Sequence, residues 1–257
     1  MDGRSMYLIF IVGTAGSGKS QFTATYAEWL RLKEQRVATV NLDPAATNLL
    51  YEPDIDIREY FRAEELMEKY NLGPNGAIVM AADLIASEVE TIGEIIEEST
   101  SDYVLVDTPG QMELFAFRAS GPYIVEELTD NPKAMVYLFD ATFSANPLNY
   151  VSNMFLATAI SVRFLLPQVY ALSKTDMVAA KTVKSILEWG RHVSALEEAL
   201  DAEASETRRL MGRDMARLIS RLGLSFPLIP ISSKKMEGFV NLHTAFTRIF
   251  AGGEEAT

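Results

Sequence analysis

Apolar residues along this chain follow two patterns. Short runs rich in β-branched and aromatic residues recur at Tyr7 to Val12, Val37 to Leu42, Tyr103 to Val106, Met135 to Phe139, Val169 to Leu172 and Leu228 to Ile231. They show little polar alternation, which marks strands covered on both faces. Between them apolar residues recur at helical spacing, as in Phe22, Tyr26, Trp29 and Leu30, and again in Phe239, Leu242, Phe246 and Ile249. Such strands alternating with helices predict an α/β fold of three layers, a mostly parallel central sheet with helices on both faces. Ligands of such sheets lie beyond the carboxyl ends of the strands, so chemistry is expected in the segments that follow each run.

One stretch departs from the alternation. From about residue 182 to 222 the sequence is charged, alanine-rich and helical in pattern, which predicts a helical insertion before the last strand. Within it Arg209, Arg213, Arg217 and Arg221 recur every fourth residue, and Met211, Met215, Leu218 and Leu222 mark the opposite, apolar face. The arginine stripe reads as a solvated helix face in preference to a lid closing over phosphate. Residues 251–257, with paired glycines and glutamates, read as a flexible tail. The whole, 1–257, is most economically one nucleotide-binding domain.

Charge and composition narrow the partners. The 257 residues carry a net charge of −12, which disfavours direct nucleic-acid binding or attraction to anionic lipid. There is no cysteine, and His192 and His243 stand apart as surface or packing residues, so neither a disulfide framework nor a zinc site is expected. The apolar runs Tyr7 to Val12 and Met154 to Leu166 are too short to span a bilayer, and a cytoplasmic protein with no membrane partner is expected.

The sharpest motif is GTAGSGKS, Gly13 to Ser20, placed between a predicted strand and a predicted helix as the P-loop pattern requires. Gly13, Ala15, Gly16, Ser17, Gly18, Lys19, Ser20 and Gln21 are its nucleotide-binding candidates. Backbone amides would cradle the phosphates, Lys19 would reach the β and γ oxygens, and Ser20 would ligate Mg²⁺. The fold class is therefore that of a P-loop NTPase. DTPGQ, Asp107 to Gln111, follows another strand. Asp107 would stand beside the magnesium, and the Gly110 amide would meet the γ-phosphate. SKTD, Ser173 to Asp176, ends a third strand. A carboxylate at Asp176 can accept from both N1–H and N2–H₂ of guanine, a donor pair adenine lacks. Lys174 would lie along the base plane. Backbone amides of Ser232, Ser233 and Lys234, after the last strand, would meet guanine O6. The expected cofactors are GTP or GDP with Mg²⁺.

These elements, with GPNG at Gly73 to Gly76, resemble the GPN-loop GTPases. NLDPA (Asn41 to Ala45), YEPDIDIRE (Tyr51 to Glu59), LGPNGAIV (Leu72 to Val79) and DTPGQME (Asp107 to Glu113) are similar to that family as well. The resemblance implies a homodimer in which Gly73, Pro74 and Asn75 reach the partner's phosphates, Asn75 reading the γ-phosphate. It also implies that Asp43 orients the attacking water or touches the magnesium shell, with Gln111 a second candidate for positioning that water. The family's association with RNA polymerase biogenesis implies a protein client, such as polymerase subunits or assembly factors. The helix-rich stretches Met112 to Leu128 and Leu148 to Leu166 could provide a dimer or client face, although core packing is the commoner role of such segments. The chain departs from the pattern at Ser173, where most guanine-specific relatives carry asparagine, and a hydroxyl cannot supply both the donor and the acceptor of an amide.

Two other classes share parts of this pattern. A P-loop kinase of a small metabolite would use the arginine stripe as its lid. A dimeric partitioning or targeting ATPase would share NLDPA, but such proteins usually carry a second lysine early in the P-loop, where this chain has Thr14.

Overall fold

A computed structural model of the chain describes residues 6–202, 205–222 and 226–252. Its strands are β1 (Tyr7–Gly13), β2 (Val37–Asn41), β3 (Ile55–Asp56), β4 (Tyr103–Asp107), β5 (Lys133–Asp140), β6 (Gln168–Ser173) and β7 (Ile229–Pro230). They form a 7-stranded sheet in the order β3-β2-β4-β1-β5-β6-β7, and every neighbouring pair is parallel. The six apolar runs all become strands. The added strand, β3, is two residues long at the sheet edge, too short to produce a hydrophobic pattern.

Alternate residues of β1 serve the two faces. Leu8, Phe10 and Val12 join the larger core, with helices Val89–Glu98, Ser120–Glu127 and Pro147–Phe164, while Ile9 and Ile11 join a second core with helices Lys19–Arg31 and Phe239–Phe250. All five side chains are fully buried, and each contributes about 2 kcal/mol from removed apolar surface. Helices Met112–Ala116, Ser120–Glu127 and Pro147–Phe164 bury Phe115, Ile124, Val125, Tyr150 and Ile160 in the larger core, leaving Phe117, Tyr123, Val162 and Leu165 exposed. Parallel register brings Ile11, Asn41 and Asp107 level at the carboxyl edge, and Asp140 level with Ser173.

Among the described residues, the stretch 182–222 is built from three helices, Ala180–Arg191, Val193–Asp201 and Glu206–Arg221. The packed face of the last is not the expected one. Gly212, Ala216 and Ile219 are buried, whereas Met211 (62%), Leu218 (48%) and Leu222 (62%) are exposed, and only Met215 of the expected stripe packs partly against the core. The cause is close approach: a Cβ on Gly212 would meet Leu148 at 2.7 Å and Leu200 at 2.9 Å. Small residues let the helix sit down where a methionine face would hold it off. Arg213 and Arg217 pair with Asp201 and Glu197 of the preceding helix, so half of the arginine stripe is anchored. Most of the tail expected to be flexible, residues 253–257, lies outside the described residues. Among the described residues no helix is long and apolar enough to cross a membrane.

Candidate functional site: a phosphate loop with a base pocket

The strand β1 ends in Gly13, and the chain turns through the loop into helix Lys19–Arg31. Gly13 is required because a Cβ there would meet Ser17 Oγ at 2.6 Å and the Leu138 carbonyl at 3.0 Å. Gly18 caps the helix at φ 96° with no side-chain cap and no acidic residue in the first turn. The helix N-terminus thus offers backbone N–H groups and a positive dipole end to an anion. Lys19 is buried and its Nζ donates to the carbonyls of Gly13 (2.9 Å) and Thr14 (3.2 Å). Burial pulls its pKa down against the opposing carboxylates of Asp107, Asp43 and Glu113. A poorly solvated ammonium enclosed by its own loop is poised to gain from an incoming phosphate.

The DTPG turn is fixed to the sheet by Thr108, whose hydroxyl donates to the Ile11 carbonyl at 2.7 Å. Asp107 is buried; among the described residues its Oδ1 has no hydrogen-bond partner, and its Oδ2 accepts from the Tyr51 hydroxyl at 3.2 Å. An orphaned carboxylate oxygen beside the Ser20 hydroxyl fits a magnesium ion that completes its shell with waters and phosphate oxygens. Asp43, also expected at the metal or the water, spends both oxygens on backbone amides: Oδ2 accepts from Gly110 N (2.8 Å) and Oδ1 from Ala45 N (2.9 Å). Gln111 directly follows Gly110 and caps the short helix Met112–Ala116, so both expected water-positioning residues flank that amide.

Burial raises the Asp107 carboxyl to about 6, helped by the Asp43 charge and opposed by Ser20, Lys19 and Tyr51. In the unfolded chain the group titrates near ~3.9. The folded protein therefore binds the extra proton between these values, and the group destabilises it increasingly as pH rises, by about 3 kcal/mol above pH ~6. Asp107→Asn removes that penalty but leaves an amide donor unpaired at a cost of about 1–2 kcal/mol. The nucleotide-free variant is expected to be more stable than the parent by about 1–2 kcal/mol at neutral pH, with the advantage gone near pH ~4. Thermal unfolding across that range checks it, and a gain that grows on acidification contradicts it.

Ser17, Gly18, Gln21, Ser173, Lys174, Asp176, Met177, Ser233 and Lys234 line a pocket of about 280 Å³ beside the loop. Ser173 is buried and its hydroxyl donates to the Ser17 carbonyl at 2.9 Å, with the Phe139 carbonyl at 3.2 Å. Its role here is to tie the phosphate loop to the end of β6. Lys174 spans the loop to Asp140 Oδ2 (2.7 Å) and the Gly16 carbonyl. The Ser232 hydroxyl donates to Asp176 Oδ1 at 2.7 Å, and this bond leads the causes that hold the Asp176 carboxyl below its usual value. The amide expected of Ser232 is instead committed to the Glu237 carbonyl, so a contact to O6 would fall to Ser233 and Lys234.

The Gly-Pro-Asn segment is not a loop but a helix start. Gly73 is the N-cap and Pro74 the first residue of helix Pro74–Ser87, again with no side-chain cap and no acid in the first turn. Gly73, Pro74 and Asn75 are exposed, and Pro74 borders a groove of about 350 Å³ with residues Pro44 to Thr47. The two histidines are a surface and a packing residue: His192 pairs with Glu188, and His243 meets the Tyr26 hydroxyl and the Trp29 ring.

Sequence reasoning missed Tyr51, Asp140 and the pair Asn41–Asp56. Asn41 donates to Asp56 Oδ1 (2.9 Å) and to the Asp43 carbonyl (3.2 Å) and accepts from Asp43 N (3.0 Å). Polar residues at a strand's carboxyl end, such as Asn41 and Asp140, were the available signal.

A family model described as "Conserved hypothetical ATP binding protein" matches residues 11–252. The GPN-loop GTPase QQT2 of Arabidopsis thaliana is 35% identical over 95% of this chain and 64% of its own length. GPN-loop GTPase 1 of Saccharomyces cerevisiae is 30% identical over 91% of this chain and 63% of its own. The chain thus spans somewhat under two thirds of these two relatives. The GPN-loop GTPase PAB0955 of Pyrococcus abyssi is 34% identical over 92% of this chain and 94% of that protein. Its apo crystal structure superposes with a TM-score of 0.82, covering 95% of this chain and 97% of that one.

Proposed function

The chain belongs to the GPN-loop GTPase family, and from that premise we propose that it binds GTP with Mg²⁺ and hydrolyses the γ-phosphate as a homodimeric nucleotide switch. The observation that carries this reading is the position of Asp176, held by Ser232 on the rim of a base-sized pocket that opens directly onto the phosphate loop. An ionised acceptor there matches the paired N1–H and N2–H₂ donors of guanine and is left unpaired by adenine.

In this account the amides of Gly13 to Ser20 and the Lys19 ammonium hold the phosphate chain, and Ser20 and Asp107 hold the magnesium. The ion would neutralise charge on the β and γ oxygens. Gly110 donates to the γ-phosphate, while Asp43 and Gln111 orient the attacking water. Water oxygen bonds to the γ-phosphorus as the bond to the bridging oxygen of GDP breaks, and the water's proton passes to phosphate or solvent. Asn75, exposed at a helix start, reaches the partner's γ-phosphate, where an uncapped helix terminus adds positive potential. The two nucleotide states present different surfaces to a protein client, and assembly of a complex such as RNA polymerase fits that use. Anchoring of Arg213 and Arg217 to the neighbouring helix disfavours the kinase-lid reading.

Asn75→Ala tests the contribution in trans. Turnover is expected to fall about 10- to 100-fold with GTP affinity unchanged, the signature of an interaction made in the transition state. Mixing this variant with Lys19→Ala should restore part of the activity, because one mixed site combines an intact loop with an intact Asn75. Unchanged turnover in Asn75→Ala, or no recovery on mixing although mixed dimers form, removes the role.

A further inference from the structure

We propose that Asp43 makes the site discriminate between nucleoside triphosphate and diphosphate, by holding in the nucleotide-free protein the backbone amide that a γ-phosphate must take. This rests on the reading of Gly110 as the γ-phosphate donor. The carboxylate bridges two amides, Gly110 N at 2.8 Å and Ala45 N at 2.9 Å, an anion seated on N–H groups as a phosphate would be. A Cβ on Gly110 would sit in ordinary van der Waals contact with Asp43 Oδ2, at 3.5 Å.

The backbone of Asp43 is clamped by bonds in which its side chain takes no part. Asn41, fully buried and level with Asp107 in the sheet, bonds both the amide and the carbonyl of Asp43 and is itself braced by Asp56. Arg58 pairs with Asp56 and donates to the Ala46 carbonyl at 2.9 Å. Release of the carboxylate therefore needs only side-chain rotation and the freeing of Ala45, not the unfolding of β2. Tyr51 leans on the same turn through Asp107, so the segment from Asp43 to Tyr51 touches the turn at two points.

A diphosphate fills the loop Gly13 to Ser20 without needing Gly110 and leaves the Asp43 bond in place. A triphosphate must break a charge-assisted hydrogen bond before its terminal phosphate is seated, which lowers its apparent affinity about tenfold. Ala45, whose amide is released, lies among the residues 44–47 that border the groove at Pro74, so the exchange reports the γ-phosphate to the face that carries the Gly-Pro-Asn helix start.

The test measures equilibrium binding of GDP and of a non-hydrolysable GTP analogue without added magnesium, with amide-resolved hydrogen exchange on the same samples. Asp43→Ala should tighten the GTP analogue about tenfold and change GDP less than about twofold, with Asp43→Asn between parent and Ala because a neutral oxygen still accepts. Equal tightening of both nucleotides, or weaker GTP-analogue binding, overturns the proposal. In the parent protein the GTP analogue should speed exchange at Ala45 and keep Gly110 protected. In Asp43→Ala, Gly110 should be unprotected with GDP and protected with the GTP analogue. If Gly110 gains no such protection, the γ-phosphate reading fails and the proposal with it. If it does while the affinity ratio stays at the parent value, only the Asp43 discrimination fails.

Discussion

Lys19→Ala is expected to lose GTP affinity roughly 100- to 1000-fold while the protein stays folded. The ammonium is buried and donates to the Gly13 and Thr14 carbonyls of its own loop, and its burial already works against its charge. Removing it relieves that desolvation and lets water reach the Gly13 and Thr14 carbonyls, so the melting temperature of the free protein should move little. The bound phosphates, in contrast, lose a charged partner inside a desolvated site, a loss of about 3–4 kcal/mol by comparison with truncation of buried charge pairs. Titration calorimetry of parent and variant checks the affinity, and thermal unfolding checks the fold. Normal affinity in a folded Lys19→Ala protein contradicts the assignment of the phosphate loop.

Asp176→Asn should exchange the base preference. The carboxylate presents two acceptors, of which Oδ1 also takes the Ser232 hydroxyl. An amide of the same shape presents one acceptor and one donor. Guanine would then face the new –NH₂ with its own N2–H₂, donor against donor, whereas xanthine carries an oxygen at that position. GTP affinity should fall about 100-fold or more while xanthosine triphosphate binding appears and ATP binding stays as it was. Competition binding with the three triphosphates reads this directly. Unchanged GTP affinity would mean that the base does not sit against Asp176.

Much of the fold was legible in the sequence because doubly buried strands and glycine-rich phosphate turns leave local signatures. Apolar runs marked six strands, and the spacing of Gly13, Gly18 and Lys19 marked the loop and the helix after it. What escaped depended on contacts between distant segments. Tyr51 meets Asp107 across 56 positions, and Asn41 meets Asp56 across 15; neither pairing has a local pattern. The packed face of helix Glu206–Arg221 was misassigned because hydrophobicity favoured Met211, Leu218 and Leu222, whereas the fold used the smallness of Gly212 and Ala216. The helical start at Gly73–Pro74 was readable in principle. Proline at the first helical position, followed by Ala77, Ile78, Ala81, Ala82 and Ile85 on one buried face, is a helix signal, although the run GPNG by itself has the composition of a turn.

Phosphate release by the purified protein with Mg-GTP and Mg-ATP side by side, at several protein concentrations spanning the dimerisation range, tests the central claim most directly. A guanine-selective site completed by a partner's Asn75 predicts release from GTP well above that from ATP, with specific activity rising as dimers form. Preference for ATP would contradict the role of Asp176, and activity independent of dimerisation over that range would contradict catalysis shared between two copies of the chain.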